Sequence, residues 1–146
     1  MSYTIQAIIS DISLKQKLKD MGLPCMNMRF DMAMVPLAYD YVEKNEIPFL
    51  PLTDDGGTSI GDKLKKLCLK LSESNKVAYI EAEYFGGEGI QACNLFSDGV
   101  EFEKPLISFN AINHALEWLG IKRTDEMDEF DNFGLGTYRD TEDWIS

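Results

Sequence analysis

Lys76-Val-Ala-Tyr-Ile-Glu-Ala-Glu-Tyr-Phe-Gly-Gly-Glu-Gly-Ile-Gln-Ala-Cys-Asn-Leu-Phe-Ser-Asp-Gly99 is the stretch that most constrains the fold. It has apolar and aromatic runs on either side of a glycine cluster, and a second turn signal closes it. Val77 to Phe85 contains neither Gly nor Pro and is rich in residues that suit a pleated strand. Gly86, Gly87 and Gly89 tolerate positive φ and close backbone approach, as a tight hairpin requires. The spacing therefore predicts two adjacent central strands, with Val100 to Phe102 pairing back across Ser97-Asp98-Gly99.

Period-two alternation divides the first of these strands into two faces. Ala78, Ile80, Ala82 and Tyr84 form one. Val77, Tyr79, Glu81, Glu83 and Phe85 form the other. Glu81 and Glu83 then point the same way with α-carbons about 7 Å apart. Two carboxylates in a partly dry site raise at least one proton affinity, which suits acid/base work or a hard cation. The plainer expectation is a wet sheet face with lysines opposite. The glycines do not make a phosphate loop, because no Lys-Ser/Thr follows and the next element reads as a strand.

The rest of the chain supplies strands and short helices. Tyr3 to Ser10 reads as a first strand, and Ser10 or Asp11 caps a helix on which Leu14, Leu18 and Met21 share a face before Gly22 and Pro24 end it. A second strand region spans about Met26 to Val35, its methionines read as core filler. Pro36 to Lys44 reads as a short helix, and Pro48 and Pro51 hold an extended segment. Asp54-Asp55-Gly56-Gly57 is a turn that lacks the alternating oxygen ligands and closing glutamate of an EF-hand.

Thr58 or Ser59 is expected to cap the clearest helix, where Ile60, Leu64, Leu67, Cys68 and Leu71 recur at helical spacing and Lys63, Lys66 and Lys70 form a solvated stripe. Ile112, Ala115, Leu116 and Leu119 mark another helix, closed by Gly120, with His114 and Trp118 on its flank. Thr124 is expected to cap a last helix anchored by Met127 and Phe130. Phe133, Leu135, Tyr138 and Trp144 dock the remaining tail. The order of elements describes an α+β domain of two layers, with helices on one face of a mostly antiparallel sheet and an open face carrying Glu81 and Glu83.

Composition limits function. A chain of 146 residues, 45% hydrophobic, with eight Phe, six Tyr and two Trp, buries the core of one domain. Apolar runs fall far short of a membrane span, and Met1-Ser-Tyr-Thr-Ile-Gln lacks the features of a signal peptide, so a cytoplasmic protein is expected. Cys25, Cys68 and Cys93 are odd in number and widely spaced, and with His114 as the lone histidine they indicate neither a disulfide framework nor a zinc site. The formal charge of −11 argues against nucleic-acid phosphates and favours a basic protein partner. From Lys122 onward eight acids (Asp125, Glu126, Asp128, Glu129, Asp131, Asp140, Glu142, Asp143) face three bases (Lys122, Arg123, Arg139), so this stretch carries −5 of that charge.

Two longer motifs remain. Tyr79-Ile-Glu-Ala-Glu-Tyr-Phe-Gly-Gly-Glu-Gly-Ile-Gln91, with the later Asp128-Glu-Phe-Asp-Asn-Phe-Gly-Leu-Gly136 and Thr141-Glu-Asp-Trp144, resembles a family of small bacterial proteins with no assigned reaction or ligand. The resemblance implies a compact bacterial cytoplasmic protein. Its matching positions are Glu81, Glu83, Tyr84, Gly86, Gly87, Gly89 and Gln91, with Glu129, Asp131, Gly134, Gly136, Arg139, Thr141, Glu142 and Asp143; the candidate binding residues are Glu81, Glu83, Tyr84, Phe85, Gly86, Gly87, Gly89, Gln91, Glu129, Asp131, Arg139, Glu142 and Asp143. This chain departs from the pattern at Thr137-Tyr138-Arg139-Asp140, where the family is more basic and carries histidine.

The reading that follows is an acidic protein-binding module, concretely an immunity-type inhibitor of a basic toxin or nuclease, with no cofactor. The alternative is a carboxylate-based enzyme in which Glu81 and Glu83 hold Mg²⁺ or a similar ion.

Overall fold

The computed structural model describes residues 2–54 and 56–145. The expected turn at Asp54-Asp55-Gly56-Gly57 falls partly outside them, at Asp55. Among the described residues, strands β1 (Ser2–Asp11), β2 (Met26–Met28), β3 (Met32–Pro36), β4 (Val77–Phe85), β5 (Glu88–Ser97) and β6 (Val100–Ser108) form an antiparallel sheet in the order β2-β3-β1-β4-β5-β6. Helices α1 (Lys15–Asp20), α2 (Tyr39–Lys44), α3 (Asp62–Leu71), α4 (Ala111–Leu119) and α5 (Glu129–Phe133) flank it.

The stretch from Lys76 to Gly99 supplies two inner strands of the sheet, β4 and β5. β4 pairs with β1 from Ser2↔Phe85 to Ser10↔Val77 and with β5 from Val77↔Phe96 to Phe85↔Glu88. Gly86 and Gly87, with φ of 62° and 85°, make the two-residue turn whose twist matches the strands it joins. The second turn uses Asp98 and Gly99, with φ of 56° and 74°.

The α+β class and the antiparallel sheet agree with the sequence reading. The number of layers does not, because helices cover both faces of the sheet. On one face Ile8, Val35, Val77, Tyr79 and Phe96 meet Leu18 of α1, Val42 of α2, Leu64, Cys68 and Leu71 of α3, and the loop residues Leu52 and Ile60. On the other, Ile5, Ile9, Ala78, Ile80 and Leu95 meet Ile112, Ala115 and Leu116 of α4 and Phe133 of α5. The face expected to be open is therefore sealed, and Glu81 on it is 0% exposed. A sheet buried on both sides reads apolar on both, and the charged residues at 81 and 83 masked that in the sequence.

Three local expectations are also corrected. The strand region at Met26 to Val35 is a hairpin, turned by Phe30 and Asp31 at φ 63° and 55° without a glycine to signal it. Helix α3 starts at Asp62 and not at Ile60: the Ser59 hydroxyl accepts a hydrogen bond from Gly61 N at 3.1 Å, and Gly61 at φ 92° leads into the helix. In α5 the cap is Asp128, whose Oδ1 accepts from Asp131 N at 2.9 Å, while Thr124 closes the preceding turn by accepting from Met127 N at 3.0 Å. The helix ending at Gly120 is as expected, and Cys68 and Cys93 are buried while Cys25 is half-buried.

Candidate binding cleft

Glu81 lies in the sealed layer and is fully engaged. Its Oε1 accepts from Leu52 N at 3.1 Å and from the Tyr79 hydroxyl at 2.9 Å; its Oε2 accepts from Thr53 N at 2.9 Å and from the Thr53 hydroxyl at 2.7 Å. Gln6, opposite Glu81 in the β1–β4 register, does the same for the residues just before: its amide nitrogen donates to Pro48 O at 2.9 Å and its Oε1 accepts from Leu50 N at 3.4 Å. Two neighbouring buried polar side chains thus satisfy the backbone of a loop that has no strand to pair with, as buried amides and carbonyls demand. Glu83, one step further along the same face, is half-buried. Its carboxyl is pushed above the ordinary value by burial first, then by the charge and hydrogen bond of Asp54, then by Glu81.

The opposite face carries a cleft of about 360 Å³, within the usual range for ligand pockets. Tyr3 of β1, Ala82 and Tyr84 of β4, and Gln91 of β5 form its floor, while Asn113 of α4, Phe130 of α5 and Arg139 belong to its walls. Sequence-distant residues meet there because β1 lies beside β4 and α5 packs beside α4. Gln91 and Ala82 are register partners, so they share the floor. The Gln91 Oε1 accepts from Ile112 N at 2.9 Å and so fixes the start of α4. Asn113 binds both ways, donating to Asp128 Oδ2 at 3.0 Å and accepting from Phe130 N at 2.8 Å. Tyr3 stacks edge-on against Phe130 at 5.4 Å and donates to Leu135 O at 2.9 Å, and burial raises its phenol pKa.

Two groups in the cleft are left for a ligand. Phe109, at the end of β6, is 75% exposed on its rim. Arg139 is exposed, and its guanidinium has no partner among the described residues.

The C-terminal motif is a clamp. β3 pairs with β1 only from Ala7 to Asp11, which leaves that side of Ser2 to Gln6 without a strand. Residues 139–141 fill the gap: Thr4 N donates to Arg139 O at 2.8 Å, Thr4 bridges Asp140, and Gln6 N donates to the buried Thr141 hydroxyl at 3.0 Å. Glu142 accepts from Tyr39 N at 3.2 Å with each oxygen, at the start of α2. Trp144 meets Tyr138 edge-on at 4.8 Å.

Of the candidate binding residues, Tyr84, Gln91 and Arg139 come together in the cleft. Glu81 and Glu83 face the other layer, Phe85, Gly86, Gly87 and Gly89 belong to the hairpin end, and Glu142 serves α2. Asp131 and Asp143 are exposed on α5 and on the turn Thr141–Trp144, and Glu129 lines a separate cavity. Sequence reasoning missed Tyr3, Phe109, Asn113 and Asp128 as cleft residues. Only the run of acids around Asp128 gave any signal, since the others are placed by strand order.

The arrangement defines an antiparallel α+β protein with an aromatic-walled cleft beside an acidic C-terminal stretch. No protein-family model, curated protein or solved structure matches the chain.

Proposed function

We propose that this chain is a small acidic protein-binding module, concretely an immunity-type inhibitor that neutralises a basic toxin or nuclease. The cleft carries this reading: four aromatics, Tyr3, Tyr84, Phe109 and Phe130, surround it, and Asp128, Phe130, Gly136 and Arg139 reach it from the stretch that holds −5 of the −11 charge. Exposed aromatic anchors in a concave site supply affinity at protein interfaces, and a one-signed charge speeds encounter with a partner of opposite sign. Glu81 supports the same reading, since its four donors give it a fixed role in holding the 48–53 loop.

The test is capture of a basic partner from the native cell, followed by calorimetric titration of the purified pair. Binding is expected to weaken steeply between low and high salt, and Phe109→Ala and Tyr84→Ala are each expected to weaken it by roughly tenfold or more, as buried aromatic anchors do. Binding that ignores both substitutions and salt would overturn the proposal.

A further inference from the structure

A second cavity, of about 420 Å³, lies between the end of α4 and the start of α5 and is lined by Glu117, Gly120, Lys122, Arg123 and Glu129. Glu129 is its unusual member. The residue is only 5% exposed, yet its carboxylate has no hydrogen bond or ion pair among the described residues. Both oxygens retain access to solvent space, since no side-chain oxygen of a non-exposed described residue is both sealed and unpaired. Glu129 is one of the residues that line the cavity. Glu81, the other buried glutamate, has four donors, so an unserved carboxylate is not the rule in this chain.

What would serve Glu129 is a cation. A second carboxylate, Glu117, lines the same cavity, and the last turn of α4, ending at Gly120 with φ 103°, lends its carbonyl end. Among the described residues no group of three or more His, Cys, Asp or Glu is placed to hold a metal ion. The space is also far larger than one ion. A guanidinium fits better: it is planar, keeps its charge and carries five donors that engage a carboxylate with two bonds while reaching carbonyls beside it. Lys122 and Arg123 are exposed at the rim, with no ion pair among the described residues, and are the competitors within the chain.

We infer that the Glu129 cavity receives the guanidinium of an arginine side chain presented by a basic protein partner. This rests on the protein-binding reading above and adds a second anchor point to it.

The probe is the capped peptide acetyl-Gly-Arg-Gly-amide, followed by amide chemical shifts of the intact chain, with free arginine and the Lys peptide beside it. Saturable shifts at Gly120 and Glu129 are expected at millimolar peptide, with the Lys peptide weaker. Glu129→Gln should weaken binding at least fivefold, and Glu117→Gln, at an exposed position where folding is not at stake, should weaken it measurably. Asp125→Asn, an exposed acid outside the cavity, should not. Absence of saturation, or shifts that survive Glu129→Gln, would overturn the site. Free arginine binding tenfold tighter than the peptide would overturn the partner-borne source. Failure here leaves salt-dependent capture through Tyr84 and Phe109 intact, whereas failure of that capture leaves the peptide titration unchanged, so the two readings fail separately.

Discussion

Glu81 and Glu83 are two residues apart on one face of one strand, yet the structure gives them opposite energetics. Every donor that reaches Glu81 is a neutral N–H or O–H, and the two oxygens share them evenly. An amide nitrogen in place of either oxygen would face donors, so Glu81→Gln is expected to destabilise the fold by about 1–3 kcal/mol, the usual consequence of leaving buried polar groups unpaired. Chemical denaturation checks this, and a neutral result would mean that the loop at 48–53 is not held by the carboxylate. Glu83 behaves in the other sense. Its folded pKa is raised above the ordinary 4.5 by burial and by Asp54, so the folded state holds the proton more tightly than the unfolded chain. Stability is then lost as pH rises from the ordinary value through the raised one, and Glu83→Gln is expected to abolish that loss, gaining on the wild type above the window. Melting curves at pH 4 and pH 7 separate the two residues. Alternation placed both glutamates on one face from sequence alone, but it carried no sign of Thr53 or Leu52, whose donors decide which carboxylate is structural.

Among elements, the β4–β5 hairpin was legible and its glycines are not equivalent. Gly86 and Gly87 have positive φ but open space where a side chain would go. Alanine at either meets only the left-handed backbone penalty, on the order of 1 kcal/mol. Gly89 is the reverse case: a Cβ there would fall on the Glu83 carbonyl oxygen and within 2.7 Å of Tyr84 Cα, both backbone, so relief requires moving the strand. Gly89→Ala is expected to lower the melting temperature well beyond Gly86→Ala, and equal small losses would contradict the crowding. A glycine cluster announces a turn in sequence, whereas close strand approach at one member shows only once the register Tyr84↔Gly89 is known. The helix starts were less legible for a related reason. Ser59 and Thr124 are good capping residues by type, and both do bind nearby amides, but each closes a turn just ahead of the helix it was expected to start.

At the scale of the molecule, the sheet was readable because β1, β4 and β5 carry their own patterns, while the second covering layer was not. Its loop residues 47–53 have no periodicity and owe their position to Gln6 and Glu81 beneath them. The chain ends are the other feature that only tertiary structure reveals, since residues 139–142 complete the pairing of β1 and serve the start of α2. Removing residues 139–146 would leave Thr4 N, Gln6 N and Tyr39 N without these partners, at roughly 1 kcal/mol for each hydrogen bond. It would also remove Asp140, Glu142 and Asp143 together with Arg139, a net charge of −2 that draws a basic partner. The cluster on the Tyr79 face contains no buried residue beyond Phe96, so the removed segment reaches that layer only through the Tyr39 N–Glu142 hydrogen bonds at the start of α2. The truncated chain is therefore expected to stay folded with a melting temperature lower by several degrees, to lose amide protection at Thr4 and Gln6 while Tyr79 and Ile80 keep theirs, and to bind a basic partner more weakly. Hydrogen exchange read residue by residue decides it: uniform loss of protection would show that the clamp holds the whole sheet, and no loss at Thr4 and Gln6 would show that it holds none of it.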